Sequence, residues 1–414
     1  MRIAVVFDCL YPFTTGGGEK QYRQFAEEFV KAGHEVDYLT RRQWDGPDPD
    51  LGGVRARAIA PGYELYDADG VRLPITALRF AVDVFRHLVR HRATYDAVIV
   101  SATPVLNVFA ARAALLGSRT VLAVDWLEVW TRTQWLEYSG PVVGRVADAL
   151  QRFAVRLSPL ALGHSQHTID GLRANRVPRE PVRSPGLISA VRDVTPRLET
   201  PIGRDPMVLF VGRHIQDKQV DALPAALAEA REEFPGLHAV ISGEGPERER
   251  VVRAAADAGV SDAVEFPGFV EEAELHRLLA EASCLVNPSR REGYGLVVVE
   301  AASYGTPSVV IDHPTNASTE LIEEGVNGFV APSAGPTDLA AAIVRAVRDG
   351  DGLRRTTRAW YEDAIRTRTI AKTAEGILAA LETARAARAA GGMRPRTGTS
   401  PTDAPTRKAR KARR

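Results

Sequence analysis

The chain has 414 residues, of which 45% are hydrophobic and 25% charged, and its formal net charge is +1. This balance is that of an ordinary globular protein long enough for two domains, and it gives no reason to expect a nucleic-acid partner. The cysteines, Cys9 and Cys284, lie in apolar strand-like segments, so neither a disulfide framework nor a structural zinc site is expected. The N-terminal apolar run is too short for a signal peptide, and no run of roughly 18 apolar residues follows, so we expect a cytoplasmic protein.

The first half of the chain alternates short β-branched runs with segments of helical period, which is typical of parallel α/β sheets. Pro104 suits the first position of a helix, where its missing N–H costs nothing. The segment 44–73 has no regular pattern and receives no assignment. The predicted strands are 3–7, 35–39, 97–100, 120–124 and 160–163, and the predicted helices include 20–31, 78–90 and 104–116.

The same alternation restarts near residue 205, after a segment without periodicity. The second series of predicted strands is 207–211, 238–241, 264–266, 284–286 and 308–311. We therefore predict an α/β protein with two Rossmann-like, doubly wound parallel-sheet domains that face a cleft, where ligands bind beyond the carboxyl ends of the strands. The predicted parts are a first domain at 1–196, a linker at 197–206, a second domain at 207–350, and helices at 351–390 that cross back to the first domain.

The last segment, 391–414, carries eight basic residues and one acidic residue, so the remainder of the chain is about −6 by subtraction. Its composition offers almost no large apolar side chain to bury, which predicts disorder. Two interpretations stay open. The tail either contacts an anionic partner, such as a membrane surface or nucleic acid, or is simply solvated.

The strongest motif lies in the second domain, where a predicted strand is followed by two glycines and a helix. Gly293 and Gly295 let the backbone approach a ligand, and the free N–H groups of the helix start suit a diphosphate. Glu292 and Glu300 lie on either side of this anion site. Because carboxylates would repel phosphate, we predict that they accept hydrogen bonds from sugar hydroxyls.

Glu292 and Glu300 are separated by seven residues, within Ser-x-x-Glu-Gly-x-Gly and before Ala-x-x-x-Gly-x-Pro. This order resembles the donor motif of the retaining glycosyltransferases of family four, which have the GT-B fold. The resemblance implies that Glu292 lies by the donor hexose and Glu300 by the nucleotide ribose. It also implies retaining transfer of a hexose-type sugar from a nucleoside-diphosphate sugar to an acceptor hydroxyl. The donor-binding residues implied here are Gly293, Tyr294, Gly295, Leu296 and Glu300.

A second patch follows the predicted strand 207–211, where Gly212 precedes Arg213 and Lys218. Two cations on one loop would neutralise a diphosphate leaving group as its charge develops. They resemble the Arg and Lys pair that contacts the diphosphate in the family, although Gln219 stands where the family usually has glycine. The alternative is an exposed basic loop without a ligand.

Glycine-containing turns end the next two predicted strands. Gly243 allows close backbone approach, and we predict that Phe269 and Val270 form the nucleobase pocket. In the family these segments line the nucleotide site.

Gly17 and Gly18, in the first domain, resemble the first glycine loop of the family, which faces the donor diphosphate and the acceptor. A dinucleotide-binding loop is the competing interpretation. It requires spaced glycines and an acidic residue after the second strand. Here the glycines are contiguous and that strand ends in arginines, as an NADP enzyme would allow, but nothing downstream supports hydride transfer.

The acceptor side departs from the family pattern, because Asp125 follows the strand 120–124 where the family often has a histidine. We predict that Asp125 orients the acceptor hydroxyl as a catalytic residue, with Glu128, His164 and His167 as other candidates. The alternative is that Asp125 caps a helix.

Two further features favour contact with a membrane or an acceptor. The aromatic stretch 126–138 is expected to stack on a sugar, to lie at a lipid interface, or to form a partly buried lid. The helix at 78–92 combines arginines with apolar residues, which predicts either peripheral contact with the inner face of an anionic membrane or ordinary packing on the sheet.

Asp-x-Asp sequences at 48–50 and 67–69 match the metal motif of a different glycosyltransferase fold, but they lie far from the donor signals and no metal is expected. Two other functions stay open: a nucleotide-sugar epimerase on the same fold, and a non-catalytic donor-binding subunit. The base, the sugar and the acceptor, whether glycan, lipid or small metabolite, are not fixed by the sequence.

Overall fold

The computed structural model describes residues 1–65, 72–189 and 206–391. They form two α/β units, each built on a parallel sheet. The strands of the first unit are β1 (Arg2–Val6), β2 (Glu35–Arg41), β3 (Asp50–Leu51), β4 (Val54–Ala60), β5 (Ala97–Ser101), β6 (Val121–Trp126), β7 (Ala161–Gly163) and β8 (Val182–Arg183). Its helices are α1 (Gly17–Lys31), α2 (Pro74–His91), α3 (Leu106–Ala114), α4 (Arg132–Arg156) and α5 (Gln166–Ala174).

The first sheet has the order β3-β4-β2-β1-β5-β6-β7-β8, and β3 with β4 is its antiparallel pair. Side chains alternate between its two faces, as the two-residue period of a strand requires. Ile3 and Val5 of β1 pack with α1, whereas Ala4 and Val6 pack with α2, α3, α4 and α5 on the opposite face. The strands are buried on both sides, which explains their continuous apolar runs.

The second sheet has the order β11-β10-β9-β12-β14-β16, with every pair parallel. Its strands are β9 (Met207–Val211), β10 (His238–Ser242), β11 (Val264–Gly268), β12 (Cys284–Asn287), β14 (Ser308–Ile311) and β16 (Gly328–Ala331), and β13 (Arg291–Glu292) pairs separately with β15 (Thr315–Asn316). The later helices are α6 (Leu223–Ala230), α7 (Arg248–Asp257), α8 (Glu272–Glu281), α9 (Leu296–Ser303), α10 (Pro336–Thr367) and α11 (Ile370–Gly391). Short 3-10 turns lie at Gln216–Lys218, Val220–Ala222, Ser261–Ala263 and Ala317–Leu321.

The last helix belongs spatially to the first sheet. Ile377 and Leu381 of α11 are buried in the same cluster as Ile3 and Phe25. The chain therefore returns to the first domain after completing the second. In the described ranges 1–65, 72–189 and 206–391, no helix combines the length and apolarity needed to cross a membrane.

The predicted strands agree with the structure to within about two residues at each end, and the prediction of two parallel-sheet α/β domains is confirmed. Two details differ. The third helix begins at Leu106, so the prediction that Pro104 opens it is wrong. The unassigned segment 44–73 contains β3 and β4, which extend the first sheet. The predicted linker at 197–206, apart from Pro206, the predicted tail at 391–414, apart from Gly391, and the Asp-x-Asp at 67–69 lie outside the described residues.

Candidate active site

The glycine loop of the first domain, at Gly17, meets the glycine loop before α9, at Gly295, where the carboxyl ends of the two sheets face each other. A Cβ added to Gly17 would lie 3.0 Å from Leu296 Cδ1, at the start of α9. Lys20 Nζ, one turn into α1, lies 3.5 Å from Glu300 Oε1 on α9. The first domain therefore closes directly over the predicted donor helix.

Glu292 is the centre of a polar cluster in this cleft. Lys218 forms an ion pair with its Oε1, and Asn287 Nδ2 donates a hydrogen bond to the same oxygen at 3.1 Å. Burial by itself raises the pKa of Glu292. The charge of Lys218 and hydrogen bonds from Lys218, Asn287 and Ser289 outweigh it and leave the pKa below its usual range. Glu292 is therefore an anion at neutral pH and accepts hydrogen bonds.

The start of α9 supplies free backbone donors beside that cluster. Gly295 precedes the helix in the left-handed conformation, with φ 97°, and no side chain caps the first N–H groups. A side chain at Gly295 would also come within 2.6 Å of Ser318 Cβ. The left-handed φ and the close contact explain why the position requires glycine. The uncapped N–H groups leave the positive end of the helix available to an anion.

Arg213 lies on the loop after β9 and is exposed. Its charge acts on Glu19, which follows the first glycine loop: burial raises the pKa of Glu19, and Arg213 offsets part of that rise. Arg213 is therefore near enough to the first domain for its charge to act on a carboxylate there.

The backbone beneath Arg213 is closely packed. Gly243 has φ 129°, and a Cβ there would collide with the carbonyl oxygen of Gly212. At the end of the neighbouring strand Phe269 is 68% exposed and Val270 is half-buried. Phe269 presents an open aromatic face at the carboxyl end of the sheet, and its role in base binding stays a prediction.

Asp125 lies in a buried polar cluster of the first domain. Its carboxylate is fully buried at the end of β6, where Oδ1 lies 2.7 Å from Nε2 of His164. The same nitrogen is 2.8 Å from Gln21 Nε2, and the other ring nitrogen is 2.9 Å from Ser184 Oγ. In this arrangement the carboxylate contacts His164, and its role toward an acceptor hydroxyl stays a prediction. The alternative, that Asp125 caps a helix, is wrong, because Thr131 caps α4.

A cluster of charged and aromatic side chains joins the two domains through Arg291, and it was not predicted from the sequence. The guanidinium of Arg291 lies 3.7 Å from the ring centroid of Trp130 and pairs with Asp217. Trp130 Nε1 donates to Glu128 Oε2 at 2.6 Å, and that carboxylate oxygen is 3.9 Å from Arg291 Nε. Burial raises the pKa of Glu128, and Arg291 and this hydrogen bond offset part of the rise. We call Glu128, Trp130, Asp217 and Arg291 the interdomain latch.

A two-domain α/β structure with these donors, cations and carboxylates between its sheets is that of a glycosyltransferase with the GT-B fold. Two family models match the chain: residues 196–365 match the glycosyl transferases group 1, and residues 16–186 match the glycosyl transferase 4-like domain. Together they span most of both domains, and the chain belongs to this family of glycosyltransferases.

Named relatives differ in how much of the chain they cover. Glycogen synthase of Mycobacterium tuberculosis is 38% identical over 144 residues, which are 34% of this chain and 34% of that protein, so the chain matches only about a third of that relative's length. The GDP-mannose-dependent alpha-(1-6)-phosphatidylinositol monomannoside mannosyltransferase of the same organism is 26% identical over 82% of this chain and 88% of its own. Sucrose-phosphate synthase from Thermosynechococcus elongatus superposes with a TM-score of 0.75 and 18% identity, over 93% of this chain and 99% of that one, which shows a shared fold.

The interdomain latch makes Arg291 a testable positioning residue for sugar transfer. Replacing Arg291 by lysine keeps the charge but loses the planar stacking on Trp130 and the guanidinium group that reaches both Asp217 and Glu128. We expect kcat to fall about tenfold, since each lost contact is of order 1 kcal/mol, with little change in donor binding. Steady-state kinetics measure both. Arg277→Lys, at an exposed ion pair on α8, is the control, and an equal effect there would contradict the latch.

Proposed function

We propose that this glycosyltransferase is a retaining enzyme that moves a hexose-type sugar from a nucleoside-diphosphate sugar to an acceptor hydroxyl. The observation that carries the proposal is the anionic Glu292, held by Lys218 and Asn287 beside the uncapped start of α9. A carboxylate that is fixed as an acceptor suits sugar hydroxyls, and the cation with the helix start suits a diphosphate. The name of the GDP-mannose-dependent relative agrees with such a donor.

The proposed reaction is a displacement on one face of the sugar. The bond between the anomeric carbon and the phosphate oxygen breaks, and its electron pair goes to the diphosphate. Arg213, Lys218 and the N–H groups after Gly295 stabilise that charge. The acceptor oxygen bonds to the anomeric carbon from the same face, and its proton passes to the departing phosphate oxygen. Glu292 orients the sugar and Glu300 the ribose, and we propose that no metal cofactor takes part.

For the acceptor side, the proposal names a positioning residue and a class of acceptor. We propose that Asp125 acts by positioning, because its buried contact with His164 fixes the end of β6 from which Leu127 and Glu128 reach the donor loop. The acceptor is a hydroxyl of a glycan, a lipid or a small metabolite. A cytoplasmic location at the inner face of a membrane, without a nucleic-acid partner, belongs to the same proposal.

Product analysis tests the proposed reaction against its alternatives. The purified chain is incubated with each common nucleoside-diphosphate sugar and a panel of hydroxyl acceptors, and NMR follows the anomeric proton of donor and product. Transfer with the donor's anomeric configuration supports the proposal, and an inverted product contradicts it. Conversion of the donor sugar without acceptor identifies an epimerase. Donor binding with no turnover on any acceptor identifies a binding subunit.

Glu300→Ala is expected to weaken nucleotide binding about tenfold to a hundredfold, because hydrogen bonds to a charged group contribute roughly 1.5–3 kcal/mol. Glu300 is about one third exposed and faces Lys20 across the cleft. Calorimetric titration of the free nucleoside diphosphate measures the change. Glu362→Ala, at an exposed pair on α10, should leave affinity unchanged. Full affinity in Glu300→Ala would remove the ribose contact from the proposal.

A further inference from the structure

Helix α2 carries two apolar stripes, and the structure buries only one of them. Phe80, Val84 and Leu88 are fully buried against the first sheet. The other stripe repeats at spacings of three and four residues and leaves each side chain 41–51% exposed. An amphipathic helix normally has one apolar stripe, which faces the core, and polar residues on the opposite side. The exposed stripe consists of Ile75, Leu78, Val82, Phe85 and Val89.

Helix α4 carries further exposed apolar side chains on the same side of the sheet. Helices α2, α3 and α4 all contribute to the core on one sheet face, and Phe109 of α3 contacts Phe153 of α4 with ring centroids 5.7 Å apart. Four exposed residues of α4 are Val142, Val143, Val146 and Phe153. We call these four and the exposed stripe of α2 the apolar face. It holds nine of the thirteen large hydrophobic side chains that are exposed in the described parts of the chain, so the exposure is concentrated and not scattered.

The charges around the apolar face have one predominant sign. Helix α2 carries exposed arginines beside its stripe, and its one acidic residue, Asp83, lies 3.9 Å from Arg86. On α4, beyond its break at Gly140, Asp148 is buried and pairs with Arg152. The arginines of these two segments are Arg79, Arg86, Arg90, Arg145, Arg152 and Arg156. An apolar surface bordered by arginines is complementary to an anionic lipid surface, where each basic residue contributes about 1 kcal/mol.

A second copy of the chain fits this face less well than a membrane does. In a two-fold contact the same patch would lie on both partners. The arginine rows of the two copies would then approach each other, and the acidic residues of these two segments, Asp83 and Asp148, are already paired with arginines of their own helix. Like charges in apposition oppose association.

The apolar face begins at the rim of the cleft. Arg72 pairs with Asp8 at the end of β1, and α2 starts two residues later at Pro74. Tyr138 contacts Trp130 of the interdomain latch, with ring centroids 5.1 Å apart, and Val142 follows four residues later, beyond the break in α4 at Gly140. A membrane seated on the apolar face would therefore lie next to the acceptor side of the cleft.

We propose that the apolar face docks on an anionic lipid membrane. If the proposed sugar transfer holds, the acceptor class is then a lipid whose hydroxyl enters the cleft from that membrane. Docking itself needs no donor and no turnover, so its test is independent of the reaction.

Vesicle flotation of the full chain tests the docking. Vesicles of phosphatidylcholine are compared with vesicles that also contain phosphatidylglycerol. Three paired variants are compared with wild type: Leu78→Ser with Phe85→Ser, Arg86→Glu with Arg90→Glu, and, as a matched control on α7, Val252→Ser with Arg253→Glu. We expect binding to the anionic vesicles, lowered at least about tenfold in the first two variants and unchanged in the control.

Two results would overturn the proposal. The first is equal binding of wild type and both α2 variants, with binding lost when Lys408→Glu and Lys411→Glu are introduced in the basic tail. The second is a dimer in light scattering that Leu78→Ser with Phe85→Ser dissociates, which would assign the face to a second copy. An unfolding midpoint equal to that of wild type shows that each substituted chain is folded. The charge-reversal pair tests the face even where the serine pair lowers stability.

Discussion

Replacing Lys218 by alanine is expected to lower kcat for sugar transfer roughly 10²–10³-fold, which is typical for the loss of one preorganised group that stabilises transition-state charge. Lys218 is the cation that pairs with Glu292 in the cleft, next to the start of α9. In the proposed reaction it also meets the diphosphate as the glycosidic bond breaks. Single-turnover rates with saturating donor measure the chemical step directly.

The pH profile distinguishes this role from a general loss of structure. Burial raises the pKa of Glu292, and Lys218 is the main influence that lowers it. Without Lys218 the carboxylate should protonate at a higher pH, so the acidic limb of the rate profile should move upward. Lys372→Ala, at an exposed pair on α11, is the control. A Lys218→Ala enzyme with wild-type kcat and an unmoved profile would contradict the account.

Gly293→Ala is expected to reduce transfer about 100-fold while nucleotide binding changes little. A Cβ at this position would lie 2.6 Å from the carbonyl oxygen of Leu127 and 2.7 Å from Cγ of Glu128, both in the first domain. The backbone oxygen cannot rotate away as a side chain would, so the two loops must separate. A displacement of about 1 Å between reacting groups is enough for such a loss.

For Gly293→Ala, steady-state kinetics measure the loss of transfer, and calorimetric titration measures nucleotide binding. Gly376→Ala, on α11, is the matched control, because no heavy atom lies within 4 Å of a Cβ at that position. Wild-type transfer in Gly293→Ala would mean that the close approach of the two loops is not needed for catalysis. Loss of both binding and transfer would place Gly293 in the nucleotide site itself.

Features that depend on residues close together in the sequence could be predicted from it. Strand β9 and its loop form one short segment with an apolar run and a glycine. Glu292, Gly295 and α9 likewise lie in one short segment. Strand β4 was missed because its first residues alternate between buried and exposed, with arginines at the exposed positions, next to the short edge strand β3. A rule that looks for continuous apolar runs detects central strands and not such an alternating strand.

Contacts between distant residues could not be predicted in the same way. Arg291 and Asp217 are 74 positions apart, and only the assembled second sheet brings them together under Trp130 of the first domain. The burial of Asp125 depends on His164, which follows the next strand of the sheet, 39 positions later. An aspartate after a strand is equally consistent with an exposed catalytic group and with a buried partner, and the identity of the neighbour decides between them.

Binding of nucleoside diphosphates in the cleft is the measurement on which the proposed donor site depends most. Thermal unfolding is followed with UDP, GDP, ADP and dTDP for wild type, Arg213→Ala and Glu300→Ala. A ligand at about 100 times its Kd stabilises the folded state by about 2.7 kcal/mol. The account predicts that one nucleotide raises Tm in wild type and that both variants lose the shift. No shift with any nucleotide, or an equal shift in all three proteins, would contradict a donor site formed by Arg213, Glu292 and Glu300.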